Sequence, residues 1–484
     1  MTALPFRTAQ QLAAAVRSKK IGCLELLDLY LKRIERHNPR LNAVIALDVA
    51  GARQRAKAAD KALAKGDVWG PLHGVPMTIK ESYDVAGMPT TWGDPALRAN
   101  IAARDALSVT RLKAAGVTLF GKTNVPLMLA DWQSYNAVYG TTNNPWDITR
   151  SPGGSSGGSA AALAAGLTGI EAGSDIGASI RNPAHYCGVY GHKPTWGIVS
   201  PRGHALPGRV AQGDISVIGP MARSADDLKI AFEAMAGPDD IDGAGWHLKL
   251  PKPAHKKLRD FRVAVMLEDA NSAVDDEVKT QLQDLANVLG RHKVKVSDTA
   301  RPDLDTGELH RIYIQLLRSA TSGRQTDAMF AHNQAEVSRL SADDQSYYAQ
   351  MTRANTLSHR HWLAANERRH QLRLRWAEFF REYDVLLCPA AASAAFPHDH
   401  EGERHERTIE VNGKRVPTTD QLFWAGLNGV CYLPGTVAPI GLTKRGLPVG
   451  VQIIGPQYGD RTCLRFARLL EREHYAFVPP PGYD

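Results

Sequence analysis

Residues 151–195 read SPGGSSGGSAAALAAGLTGIEAGSDIGASIRNPAHYCGVYGHKPT. The segment opens with six small residues, Gly153-Gly154-Ser155-Ser156-Gly157-Gly158. An alanine-rich run of helical length, Ser159 to Leu167, follows. A second cluster, Gly173-Ser174-Asp175-Ile176-Gly177-Ala178-Ser179, ends on a serine. Glycine loops cost backbone entropy on folding, so two of them flanking one helix mark a place where backbone must approach a ligand.

Upstream, Gly70-Pro-Leu-His-Gly-Val-Pro76 leads into the apolar run Val75 to Ile79, which predicts a buried strand with Lys80 at its end. Asp105 to Ala115 predicts a helix and Gly116 to Gly121 another short strand. Nearer the start, Thr8-Ala-Gln-Gln11 is a capping box that opens a helix to about Arg17. Leu24, Leu27, Tyr30, Leu31 and Ile34 recur at helical spacing, with Asn38-Pro39 expected to stop that helix at His37. Asp48 to Lys65 predicts a third. Downstream, strands are expected at Phe261 to Met266, Tyr383 to Cys388 and Leu447 to Ile454. Helices are expected at Asp275 to Leu289, over most of Glu308 to Arg381, and at Asp460 to His474; Pro389 to Arg407 reads as a loop. Helices alternating with short apolar strands predict an α/β protein. With no internal repeat or low-complexity linker, one domain over 1–484 is expected.

Composition narrows the function. The net charge of +8 is mild over 484 residues, and nucleic-acid binding needs a concentrated basic stripe with stacking aromatics. The nearest candidate, Arg353 to Arg381, carries Glu367 and Glu378 within it and reads as a solvated helix face. Cys23, Cys187, Cys388, Cys431 and Cys463 are odd in number and widely spaced. That pattern disfavours a disulfide framework and suits a reducing, cytoplasmic setting. No charged n-region precedes an apolar run at the N-terminus, and Ala160 to Leu167 is too short for a bilayer. His398, His400 and His405 sit in a loop without a ligand frame, and Cys187 reads as a core thiol.

Cleaving an amide requires an activated nucleophile, a stabilised oxyanion and a proton for the leaving amine. Ser179 follows a turn whose backbone N–H groups can form an oxyanion hole, Ser155 can relay a proton, and a desolvated, neutral lysine can act as base. Gly153 to Gly157 also fits the G-x-S-x-G elbow with Ser155 as nucleophile, but Pro145 to Pro152 (PWDITRSP) is not the apolar strand that an elbow follows. A phosphate loop would need a Gly-Lys-Ser/Thr ending, which is missing, and no Ser-x-x-Lys occurs in the chain.

At these residues the sequence resembles the amidase signature family of serine hydrolases. The resemblance rests on Gly153 to Gly158, on Asp175-x-Gly-x-Ser-Ile-Arg181, and on Cys187-Gly-Val189 through Lys193-Pro-Thr195. Gly74-Val-Pro-x-x-x-Lys80, Gly121-Lys-Thr-Asn124, Gly446-Leu-Pro-x-Gly450 and Gln452-Ile-Ile-Gly455 extend it. It implies a single large domain with a central mixed β-sheet covered by helices on both faces. The signature core would occupy about 70–225 and 425–470, and a variable, substrate-side region about 240–420. It further implies a triad of Lys80, Ser155 and nucleophilic Ser179, a cis Gly154–Ser155 bond, and an oxyanion hole from the N–H groups of Ile176, Gly177, Ala178 and Ser179. Gly154, Asp175 and Arg181 would brace the site, and no metal or organic cofactor is implied. Ala178 stands where glycine is common, and its methyl fits if φ is negative.

Leu127, Met128, Leu129 and Trp132 are the expected substrate pocket, with residues around Tyr313 to Leu317 and near Phe423-Trp424 as further candidates. Such an apolar wall predicts aryl or alkyl amides, anilides or carbamates as small-molecule substrates, with esters open to the same acyl path. No nucleic-acid or membrane partner is expected, and the chain is expected as a monomer or homodimer. Two other readings stand beside this one: the glutaminase subunit of an aminoacyl-tRNA amidotransferase, and a non-catalytic binding protein on the same scaffold.

Overall fold

The computed structural model describes residues 3–483. In chain order the elements begin with α1 (Ala9–Arg17), α2 (Cys23–Leu41), β1 (Val44–Leu47), α3 (Val49–Ala64), β2 (Pro76–Lys80), α4 (Leu107–Ala114) and β3 (Thr118–Thr123). A small hairpin, β4 (Tyr135–Asn136) and β5 (Gly140–Thr141), precedes α5 (Gly157–Ala164), β6 (Glu171–Asp175), α6 (Arg181–Cys187), β7 (Tyr190–Lys193), β8 (Val217–Ala222) and α7 (Ala225–Met235). Then come β9 (Arg262–Val265), α8 (Asp276–Arg291), β10 (Lys295–Ser297), and four helices: α9 (Thr306–Ser322), α10 (Asp327–Val337), α11 (Tyr347–Asn355) and α12 (His359–Glu382). The chain finishes through β11 (Val385–Pro389), the hairpin β12 (Thr408–Val411) and β13 (Lys414–Pro417), α13 (Leu422–Gly429), β14 (Gly435–Leu442), β15 (Pro448–Ile454) and α14 (Asp460–Glu473).

Eight strands form the central sheet in the order β10-β9-β11-β15-β14-β7-β8-β6. The β10, β9 and β11 pairings are parallel and those from β11 to β6 antiparallel, so the sheet is mixed as expected. Neighbouring residues of β14 show how both faces are covered, because successive side chains of a strand point to opposite sides. Val437 packs with Ala160, Ala184 and Cys187 of α5 and α6. Ala438 joins the larger core that includes Phe232 of α7 and Leu464 of α14.

The strand carrying Lys80 belongs elsewhere. β2 sits in a separate three-stranded sheet, order β1-β3-β2, parallel to β3. A single bridge, Met77 to Ile170, links this sheet to the backbone just before β6. That bridge lays the end of β2 beside Ser174 and Asp175.

Local rules account for most boundaries. The Thr8 hydroxyl accepts from the Gln11 N–H while the Gln11 side chain accepts from the Thr8 N–H, which is the expected capping box. Pro39 does not stop α2, which runs to Leu41. Proline within the last turn removes a single donor, and Asn42 then closes the helix in the left-handed conformation at φ 50°. The Asn38 side chain accepts from the Ala43 and Val44 N–H groups, so the turn is held beyond the proline. The basic face of α12 also departs from expectation. Arg368 is exposed and pairs with Glu308, whereas Arg369 is 1% exposed and is held by Asp214 at 2.8 Å.

Candidate active site

Lys80 ends β2 with 0% exposure, so its amine must find partners inside the protein. Those partners are three hydroxyls: Ser155 at 2.6 Å, Ser174 at 2.9 Å and Ser156 at 3.0 Å. No carboxylate lies within ion-pair distance of it among the described residues, and burial drives the amine well below its ordinary pKa. A neutral amine has two N–H groups and one lone pair. With Ser156 and Ser174 accepting, the lone pair is left for the Ser155 O–H. Reasoning from sequence misses the roles of Ser156 and Ser174. Their signal is weak, since serines in glycine loops usually serve turns.

The glycines around these serines are a matter of space. A side chain on Gly173 would meet the Ser156 hydroxyl at 2.6 Å, and one on Gly154 would collide with the Asp131 carbonyl. The Gly154–Ser155 peptide is cis, as the resemblance implies.

Ser179 lies on the turn between β6 and α6, and the Ser156 N–H donates to its carbonyl at 3.0 Å, tying the two serine segments together. Asp175 organises the turn. Its carboxylate accepts from the N–H groups of Ala178, Ile180 and Arg181 and from the Arg181 guanidinium at 2.8 and 3.0 Å. Burial alone would raise the Asp175 carboxyl, but Arg181 holds it below the usual carboxylate value. Arg181 in turn donates to the Ala425 carbonyl, the Asn428 side chain and, at 2.6 Å, the Gln452 side chain. Removing one member of a buried ion pair strands the other, at a cost of about 3–5 kcal/mol. Asp175→Asn is therefore expected to lower unfolding free energy by about that much, read as a reduced urea midpoint with an unchanged slope.

This geometry trims the expected oxyanion hole. The Ala178 N–H donates to Asp175 at 3.1 Å and is spent there. The N–H groups of Ile176, Gly177 and Ser179 have no acceptor among the described residues. Nor does Ala178 have the negative φ that its methyl was expected to need: φ is +69°. That conformation costs an alanine roughly 1–2 kcal/mol, which the three bonds from Asp175 to the same turn help to offset.

Two side chains set the direction of the turn's peptides. The Tyr313 hydroxyl donates to the Ile176 carbonyl at 2.9 Å, and the Trp132 indole donates to the Gly177 carbonyl at 2.8 Å. Because a trans peptide points its C=O and N–H oppositely, holding the Ile176 carbonyl aims the Gly177 N–H the other way. Trp132, expected as pocket wall, thus also acts as a brace. Tyr313→Phe keeps the ring and removes one hydrogen bond worth about 1 kcal/mol. Its expected effect is a loss of roughly fivefold in kcat/KM with KM nearly unchanged, measured by steady-state kinetics.

The Ser179 side chain, 6% exposed, makes no hydrogen bond to the described residues and faces two cavities. One, of about 150 Å³, is lined by Ser155, Ser174 and His204. The other, of about 280 Å³, is lined by Met128, Leu129, Trp132, Leu317 and Leu422. Leu129, Ile176, Ser179 and Arg324 border both. Leu127 does not join the pocket. It opens the tight turn Leu127–Leu129 with 51% exposure, while positive φ angles at Met128 and Leu129 turn the chain inward.

The sequence model of the Amidase family matches residues 25–464. The chain belongs to the amidase family. Among relatives, it is 34% identical over 473 residues to the indoleacetamide hydrolase of Bradyrhizobium diazoefficiens, covering 96% of this chain and 86% of that one. It is 30% identical to a glutamyl-tRNA(Gln) amidotransferase subunit of Clostridium acetobutylicum, covering 96% of this chain and 98% of the relative. Among solved structures, an inhibitor-bound protein from a vestigial complex tied to the origins of an s-triazine catabolic enzyme superposes with a TM-score of 0.82. It is 27% identical, and the match covers 98% of this chain and 100% of that one. The amidase-family fold places Lys80, Ser155 and the Ser179 turn in one buried cluster.

Proposed function

We propose that this protein hydrolyses the carbon–nitrogen bond of small-molecule amides through an acyl-enzyme on Ser179. The observation that carries the reading is the buried Lys80 amine, bonded only to hydroxyls, next to a serine that opens onto two cavities. Ser179 Oγ attacks the amide carbon while its proton passes to Ser155 and the Ser155 proton passes to Lys80. The carbonyl oxygen, now negative, is met by the N–H groups of Ile176, Gly177 and Ser179. Collapse of the tetrahedral adduct breaks the C–N bond, and the proton returns through Ser155 to the departing nitrogen. Water then attacks the ester, with Lys80 again taking a proton through Ser155; the C–O bond to Ser179 breaks, the proton returns through Ser155 to Ser179 Oγ, and the acid is released. Metal and organic cofactors have no part in this path. Carbamates and esters can enter the same acyl path.

This assignment places the leaving amine in the cavity with Ser155 and the acyl group in the other. A serine-directed fluorophosphonate, followed by peptide mapping, tests it. A single adduct on Ser179 is the expected result, and an adduct on Ser155 would reverse the roles of the two serines. A second reading, the glutaminase component of an amidotransferase, is favoured by the 30% identity to the Clostridium protein. Hydrolysis of glutamine alone, with partner subunits that co-purify, would establish it over the first. Turnover of any amide excludes a non-catalytic binding role.

A further inference from the structure

The cavity on the acyl side of Ser179 is not the plain apolar pocket that Met128, Leu129 and Trp132 suggest. Arg318, Arg324 and Arg404 also line it, and none of the three forms an ion pair among the described residues. The acidic residue on the same wall, Asp131, is paired with Arg407 at 2.7 Å and also attracts Arg404 from beyond ion-pair distance. Three cations therefore face a small cavity whose one acidic lining residue is already engaged. All three are half-buried, and like charges gathered on one wall repel one another until an anion joins them.

The three are not equivalent. Arg324 donates to the Met128 carbonyl at 2.9 Å and Arg404 to the Ala130 carbonyl at 2.7 Å, so both also hold the turn at 127–130. Arg318 lies over the Tyr347 ring and donates to its hydroxyl, and its buried Nε has no partner among the described residues. Burial and the neighbouring Arg404 both disfavour its charge. Guanidinium groups do not give up their proton at ordinary pH, so that strain is relieved by binding rather than by titration. The planar donor fork of arginine matches a carboxylate, and the apolar surface of Leu317 and Leu422 suits a short methylene stem.

Resting on the hydrolase reading above, we propose that the acyl group accepted here ends in a carboxylate, so that the substrate is a monoamide of a dicarboxylic acid. Ser179 attacks the amide end while Arg318, with Arg324 and Arg404, receives the acid end. The leaving amine stays in the cavity of Ser155. An aliphatic amide of the same length without the acid leaves the three half-buried guanidiniums without an anionic partner, and binds less well.

Binding to the Ser179→Ala protein, measured by calorimetry, tests this without relying on turnover. The probes are glutaric acid monoanilide and its methyl ester, which differ in charge and by one methyl group. The acid is expected to bind at least about tenfold tighter, consistent with one desolvated charge-assisted contact. Adding Arg318→Met should collapse the difference to less than twofold. Should that protein fail to fold, Arg324→Met should reduce it in the same direction. Equal or tighter binding of the ester, binding of neither probe, or a preference for the acid that survives both arginine changes would overturn the proposal. The hydrolase reading fails separately, by absence of a fluorophosphonate adduct on wild-type Ser179.

Discussion

Ser179→Ala is expected to lower kcat by roughly 10⁴- to 10⁶-fold, the range seen when a hydrolase loses its nucleophile and keeps only binding and oxyanion contacts. Folding should be almost untouched. The Ser179 hydroxyl has no hydrogen bond to lose among the described residues, and only its backbone carbonyl is tied to Ser156. The control is therefore built into the structure: thermal unfolding of the variant should match the wild type while amide turnover disappears. A variant that keeps wild-type rates would end the assignment of Ser179. One that unfolds early would mean that the side chain supports the turn in a way its lack of partners does not reveal.

The second large effect falls on Lys80. Lys80→Arg is expected to fail as badly as Lys80→Met, each losing roughly 10²- to 10⁴-fold, the usual share of a general base. Arginine reaches as far, but it cannot be neutral and so cannot take the Ser155 proton. The pH profile carries the same logic. Burial lowers the Lys80 pKa well below 10.5, so the amine is neutral at pH values where an exposed lysine is charged. On the proposed path the neutral form is the active one. Activity should therefore be full above the lowered pKa and fall by a factor of ten per pH unit as pH drops through it. A rate that stays flat down to pH 5 would contradict a lysine base, whatever the mutants do. Ser156→Ala and Ser174→Ala offer a finer check, since each removes an acceptor from the neutral amine. Each should displace the acid limb without abolishing turnover.

Much of the site was legible because its residues lie close together in sequence. The apolar run 75–79 implies a strand end at Lys80, and glycine–serine loops imply close backbone approach. What could not be read has physical causes. β6 is the sequence EAGSD, with small side chains and no alternation, because both of its faces are buried and the Lys80 amine presses against it. Periodicity carries no signal for such a strand. The division of the strands into two sheets was also hidden, since β2 looks like any buried strand and only pairing shows its neighbour to be β3. A negative φ at Ala178 is the natural expectation because sequence alone does not reveal that Asp175 gathers three N–H groups around it. Helix α2 outlasts Pro39 because the cap at Asn42 lies beyond the proline. The acyl-side cavity was the least legible. Arg318 and Arg404 are 86 residues apart by their numbers and meet only because α9 and the loop before β12 converge on one wall. Local pattern picks out the apolar 127–132 segment and misses the charges opposite it.

The bond from Arg181 to Gln452 has a bearing on how this protein comes into being. Every group that the proposed path assigns to the proton or the carbonyl lies between residues 80 and 181. Yet Asp175, which gathers the turn, is paired with an arginine that is itself anchored by Ala425, Asn428 and Gln452. During synthesis, the chemical groups leave the ribosome hundreds of residues before their anchor does. A nascent or prematurely ended chain that stops short of β15 thus carries the full set of reacting groups without the clamp that aligns them. On the proposed path, hydrolytic competence waits until β15 has been made.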